Sequence, residues 1–91
     1  MYNYPNPFKQ GTCFTFNLYQ EGDVIINIYT IGGRMIKTLE QGGRSFGYNQ
    51  IYWDGRDADG SALANGVYFY KISVSGQSGE ASQMGKMVVM K

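Results

Sequence analysis

The chain has 91 residues, 43% of them hydrophobic and 15% aromatic, with 16% charged and a formal net charge of +1. It is sized for one small domain, is too apolar for a disordered tail, and carries no basic field with which to hold nucleic acid. There is no histidine, so the commonest general base and metal ligand are missing, and the single cysteine, Cys13, has no internal disulfide partner.

The opening, "MYNYPNPF", lacks the basic and apolar regions of a secretory signal peptide. Met1 is expected to be an added start on a piece of a longer chain. "TCFTFNLY" then alternates cleanly, with Phe14, Phe16 and Leu18 on one face and Cys13, Thr15 and Asn17 on the other. After a Glu-Gly-Asp turn, "DVIINIYT" places Val24, Ile26 and Ile28 together. Gly32-Gly33 suits a tight hairpin into "RMIKTLE", because glycine tolerates positive φ. "GYNQIYW" sets Ile51 and Trp53 on one face. "GVYFYKISV" sets Tyr68, Tyr70, Ile72 and Val74 opposite Lys71 and Ser73, and the last run is "MGKMVVMK". Period two dominates and no window holds a helical period, so six or seven short strands in an all-β sandwich or small barrel are expected. No apolar run approaches the roughly 20 residues of a membrane helix, so no transmembrane segment is expected.

Between the strands lies "WDGRDADG", residues 53–60, with Asp54, Asp57 and Asp59 in reach of one another. A helix-loop-helix calcium loop spaces its acids at alternate positions and closes on a distal glutamate. Here the first spacing is three and "SALANG" supplies no acid. The expectation is a turn: aspartates accept backbone N–H groups two residues on, and Gly55 and Gly60 take the positive-φ positions. Trp53 is expected to anchor the core at the end of its strand. Cys13 has no histidine to activate it and reads as a small outward side chain. "GGRSFG" lacks the Lys-Ser/Thr pair of a phosphate loop. Most aromatics fall at inward strand positions and read as core. Tyr29, Tyr48, Tyr52 and Phe69 stay open as outward residues of a carbohydrate platform. Nothing in these residues supports an enzyme, and no cofactor or metal ligand set is expected.

Several separated motifs, taken together, resemble the C-terminal sorting domain of proteins exported by the type IX secretion system. That domain is sequence-related to the immunoglobulin-like module of flagellar hook-capping proteins. The motifs are "YPNPF" with Pro5, Asn6, Pro7 and Phe8; "INIYTIGGRMIKTL" with Gly33; "WDGRDADG" with Trp53, Asp54, Gly55 and Gly60; "ANGVYFYKI" with Gly66 and Tyr68; and the terminal Lys86, Val89 and Lys91 of "KMVVMK". Departures are Lys9-Gln10 where the family often has Asn-Pro, Cys13 where threonine is usual, and Gly32 in place of an apolar residue.

The resemblance implies an immunoglobulin-like β-sandwich at the C-terminus of a larger secreted protein. It would fold in the periplasm, be recognised by the outer-membrane secretion machinery, and be removed by a cell-surface sortase. The domain would be a non-catalytic address for the cargo domains upstream of it. The recognised segment would be the terminal run Lys86, Met87, Val88, Val89, Met90 and Lys91. Met87 and Val89 fall on one face of that run, and Val88 and Met90 on the other. A strand apolar on both faces must be covered twice, so its second face and any open edge suit strand addition by a receptor. The pattern alone fits equally a central strand covered by a loop; the resemblance favours recognition, and removal of 86–91 is then expected to block export. Edge pairing between isolated copies is a further expectation. The alternatives are an immunoglobulin-like accessory or carbohydrate-binding module of a secreted glycoside hydrolase or other enzyme, and a hook-capping module. The latter is normally inserted within another domain, so ending on the terminal motif favours sorting.

Overall fold

The computed structural model describes residues 1–76 and 79–91. Its described residues form seven strands: β1 (Tyr2–Tyr4), β2 (Thr12–Leu18), β3 (Gly22–Thr30), β4 (Met35–Arg44), β5 (Gly47–Trp53), β6 (Gly66–Gly76) and β7 (Gly79–Val89). They pair into a three-stranded sheet, ordered β1-β2-β5, and a four-stranded sheet, ordered β4-β3-β6-β7. Every ladder is antiparallel. Of the sandwich and the small barrel that the period-two pattern allowed, the sandwich implied by the family resemblance is the architecture that forms.

Alternation places the core between the sheets. Phe14, Phe16 and Leu18 of β2 and Ile51 and Trp53 of β5 face Val24, Ile26 and Ile28 of β3 and Tyr68, Tyr70 and Ile72 of β6, all buried. Aromatic rings run through this layer in contact. Phe8 meets Trp53 edge-on at 5.9 Å, Trp53 stacks with Phe14 at 6.2 Å, and Phe14 tilts against Tyr70 at 4.9 Å. Truncating a ring of this kind costs about 3–5 kcal/mol, a large share of the roughly 5–15 kcal/mol that holds a domain folded.

The hairpin from β3 to β4 forms as expected, with Gly33 alone of its glycine pair at positive φ (91°) and Thr30 bonded across it to Gly33 and Arg34. A second glycine matters by its lack of a side chain. A Cβ at Gly85 on β7 would collide with the Tyr70 ring across the ladder, so this position keeps room for Tyr70.

Two elements differ from the pattern-based expectation. β1 precedes the "YPNPF" motif and pairs with β2 through Tyr2↔Thr15, Asn3↔Phe14 and Tyr4↔Cys13. β7 begins at Gly79, several residues before "MGKMVVMK", and ends at Val89. Residues 80–84 are exposed throughout, so no burial alternation marks them; backbone pairing with β6 makes them a strand.

Burial holds the Tyr70 hydroxyl above the ordinary tyrosine value of 10.0. The unfolded chain releases that proton first as pH rises. The contribution is therefore complete below about pH 10 and is lost as pH climbs from there through the higher folded value. Urea midpoints of the wild type and Tyr70→Phe are expected to lie close near neutrality. Around pH 11 the variant should lose less stability than the wild type; parallel losses would contradict this.

Candidate functional site

The terminal run is divided between core and surface. Met87 and Val89 are buried in the core at 0% and 2% exposure. Val88, on the opposite face, is half-buried opposite Val67 of β6. Lys86 and Met90 are exposed, with Met90 past the end of β7. Lys91 leaves its side chain on the protein: its Nζ donates to the Leu63 carbonyl at 2.6 Å and its N–H donates to Asn65 Oδ1 at 2.9 Å.

β7 is an edge strand, not a central one, yet the edge of its terminal run is closed. Residues 6–8 lie alongside it, and Phe8 forms a parallel bridge with Val89. The Asn6 side chain behaves as a peptide group: its Nδ2 donates to the Lys86 carbonyl (3.3 Å) and its Oδ1 accepts from the Val88 N–H (2.9 Å). The Phe8 N–H then donates to the Val88 carbonyl (3.0 Å), and the Met90 N–H donates to the Phe8 carbonyl (2.9 Å). These four hydrogen bonds occupy the backbone groups that strand addition would use. The open edge expected at 86–90 for a receptor or a second copy is therefore absent, because the "YPNPF" segment already fills it. Among the described residues, no comparable cover lies along 80–85.

A polar network fixes that segment in turn. Thr12 Oγ1 donates to the Pro5 carbonyl and accepts from Asn3 Nδ2, while Asn6 Nδ2 also reaches Asn3 Oδ1. Asn3 and Thr12 are buried, so these bonds offset the cost of burying their polar groups.

The acidic turn closes the same pole. The Asp54 carboxylate accepts from the Arg56 N–H, and Asp57 accepts from the N–H groups of Asp59 and Ser61, at 3.0–3.1 Å. Gly55 and Gly60 sit at φ 76° and 84°. This is the turn that the aspartate spacing implied. Trp53 is 2% exposed, as expected of the core anchor, and its Nε1 donates to the Arg56 carbonyl. Gly55 does more than turn the chain: a Cβ there would strike the Gln10 carbonyl, while its own carbonyl accepts from the Leu63 N–H. Phe8, Lys9, Tyr52, Asp54, Arg56 and Lys91 line a shallow groove of about 560 Å³ at this pole.

The remaining motif residues are structural. Gly66 opens β6 at φ 154°, and the Tyr68 hydroxyl donates to the Ala64 carbonyl at 2.7 Å. Of the four open aromatics, Tyr48 and Tyr52 are exposed at 63% and 65%, whereas Tyr29 and Phe69 pair across β3 and β6 and are half-buried. Sequence reasoning missed Asn3, Asn65 and the outward Tyr2 and Tyr4. The asparagines act through contacts distant in sequence that no local pattern displays.

Residues 5–80 match the family described as FlgD Ig-like domain. The basal-body rod modification protein FlgD of Salmonella typhimurium is 37% identical over 65 residues, covering 70% of this chain and 28% of that protein. The chain thus spans under a third of the curated relatives it matches. Among solved structures, dimeric latent PorU from Porphyromonas gingivalis is similar at TM-score 0.81 and 25% identity, over 98% of this chain and 9% of that one. PorZ of the same organism, described as an essential bacterial surface component of the type-IX secretion system, is similar at TM-score 0.64 and 26% identity. That likeness covers 99% of this chain and 11% of PorZ.

Replacing Asn6 with alanine removes its bonds to Asn3, Lys86 and Val88. A loss of about 1–3 kcal/mol is expected in urea denaturation. Hydrogen exchange at the amides of Val88 and Met90 should rise before that of the β3–β6 ladder. Unchanged protection at those two amides would mean that Asn6 does not hold the edge.

Proposed function

The chain belongs to the FlgD Ig-like domain family, and on that premise we propose that it is a C-terminal sorting domain for type IX secretion. The likeness to PorU and PorZ supports this reading, because it extends over 98% and 99% of the chain. The family match ends at residue 80, whereas those two likenesses take in the terminal strand as well. The domain travels through the periplasm attached to cargo upstream of it and is delivered to the cell surface, where a sortase acts on it. Its own role is non-catalytic.

Closure of the β7 edge constrains how recognition proceeds. A receptor meets the folded domain through side chains that project from the terminal run, namely Lys86, Val88 and Met90, rather than by adding a strand to 86–90. Met87 and Val89 act indirectly, by fixing that strand on the core.

A second reading follows from the 37% identity to the Salmonella rod modification protein, higher than the identity to PorU or PorZ. There the domain would serve a flagellar cap. The two readings separate in one experiment pair: surface delivery of a fused reporter in a type IX-competent bacterium, and restoration of motility in a strain lacking its own rod modification protein.

Removal of 86–91 is a poor probe, because it takes Met87 and Val89 out of the core at about 2–5 kcal/mol for a side chain such as Met87. The better variant is Lys86→Ala with Met90→Ser, both at exposed positions. The intact domain is expected to carry the reporter to the surface. The double variant should keep its melting temperature within a few degrees yet leave most reporter in the periplasm. Equal delivery by both, or none by the intact domain, would refute the sorting role as described.

A further inference from the structure

The outer face of the β1-β2-β5 sheet carries four exposed tyrosines. Tyr2 and Tyr4 stand on β1 at 54% and 72% exposure, and Tyr48 and Tyr52 stand on β5 at 63% and 65%. Between these strands β2 turns outward only uncharged side chains. The register aligns Tyr4, Cys13 and Tyr52 in one row across the sheet. Two strand spacings separate the outer pair, about 10 Å, and the small Cys13 stands between them in register.

Three observations point to the ligand. First, no lysine, arginine, aspartate or glutamate occupies an outward position on these strands; charged side chains stand beside the face at the pole, where Tyr52 shares a groove with Lys9, Asp54, Arg56 and Lys91, and they carry both signs. Second, a tyrosine presents an apolar ring face beside a hydroxyl, and among the described residues none of these four hydroxyls has a hydrogen-bond partner. Third, the Tyr52 ring lies over Gly11, where a Cβ would meet ring carbons at 2.8 Å. The missing side chain lets this ring rest on the backbone, set in place before any ligand arrives. Aliphatic side chains, which would suit a dry protein interface, are absent from the face. Flat uncharged rings bearing C–H faces and hydroxyls fit all three observations.

We infer that this face binds a neutral polysaccharide, with alternate pyranose units stacked on Tyr4 and Tyr52. The site rests on a different sheet from β7 and approaches the terminal run at the pole, where Tyr52 and Lys91 line one groove. Affinity electrophoresis of the 91-residue chain through gels containing hydroxyethyl cellulose, arabinoxylan or mannan tests it. Retardation is expected in at least one gel. Tyr4→Ala and Tyr52→Ala should each weaken it by about tenfold. Tyr19→Ala, at a residue 90% exposed beyond the end of β2, should leave it unchanged, and melting curves establish that each variant is folded. Migration unaffected by all three glycans would overturn the inference. So would retardation that survives the Tyr4/Tyr52 double substitution, retardation by dextran sulfate alone, or a dimer in sedimentation that the double substitution abolishes.

Discussion

The fold depends on one run of aromatic contacts. Phe8, Trp53, Phe14 and Tyr70 touch in sequence, which ties the N-terminal segment to one sheet and that sheet to the other. A domain of this size has little other core to draw on. Placement of Phe8 against Trp53 is also what brings Asn6 within reach of β7. The closed edge is thus a consequence of core packing, not a separate device. Glycines at 55 and 85 serve the same arrangement: one lets the acidic turn come against Gln10, and the other leaves space for Tyr70.

How much of this could be read from the residues follows from the range of each interaction. Strands β2, β3, β5 and β6 announce themselves because each is buried on one face, and burial imposes period two. The acidic turn was legible for a similar reason, since Asx bonds reach only two to four residues. The first half of β7 was not, because exposed residues such as Ser82 and Gln83 owe their extended form to a neighbouring strand. Least legible was the meeting of Asn6 with Val88, which spans 82 positions. The motif letters "YPNPF" and "KMVVMK" flagged both ends as important without revealing that they touch.

The two faces of interest divide along the sandwich. Terminal-run side chains project from the four-stranded sheet, and the tyrosines cover the three-stranded one. They approach each other at the pole, where Tyr52 and Lys91 line one groove. The acidic turn, which has the density of charge expected of a chemical site, helps to hold the pole together; Asp54 and Asp57 each accept from backbone N–H groups through one carboxylate oxygen. Side-chain chemistry available to partners lies instead in plain, uncharged or singly charged positions.

The clasp between residues 6–8 and 88–90 also has a mechanical meaning. Phe8 and Val89 run parallel, so tension applied to the two ends of the chain slides one segment past the other. The bonds linking Asn6 and Phe8 to β7 then bear load together, in shear, instead of opening one by one as the rungs of a hairpin do when pulled at its open end. Resistance to stretching along this axis is therefore concentrated in a few residues at the termini. The β1–β2 ladder, which lies between Met1 and the clasp, shares the load on the N-terminal side.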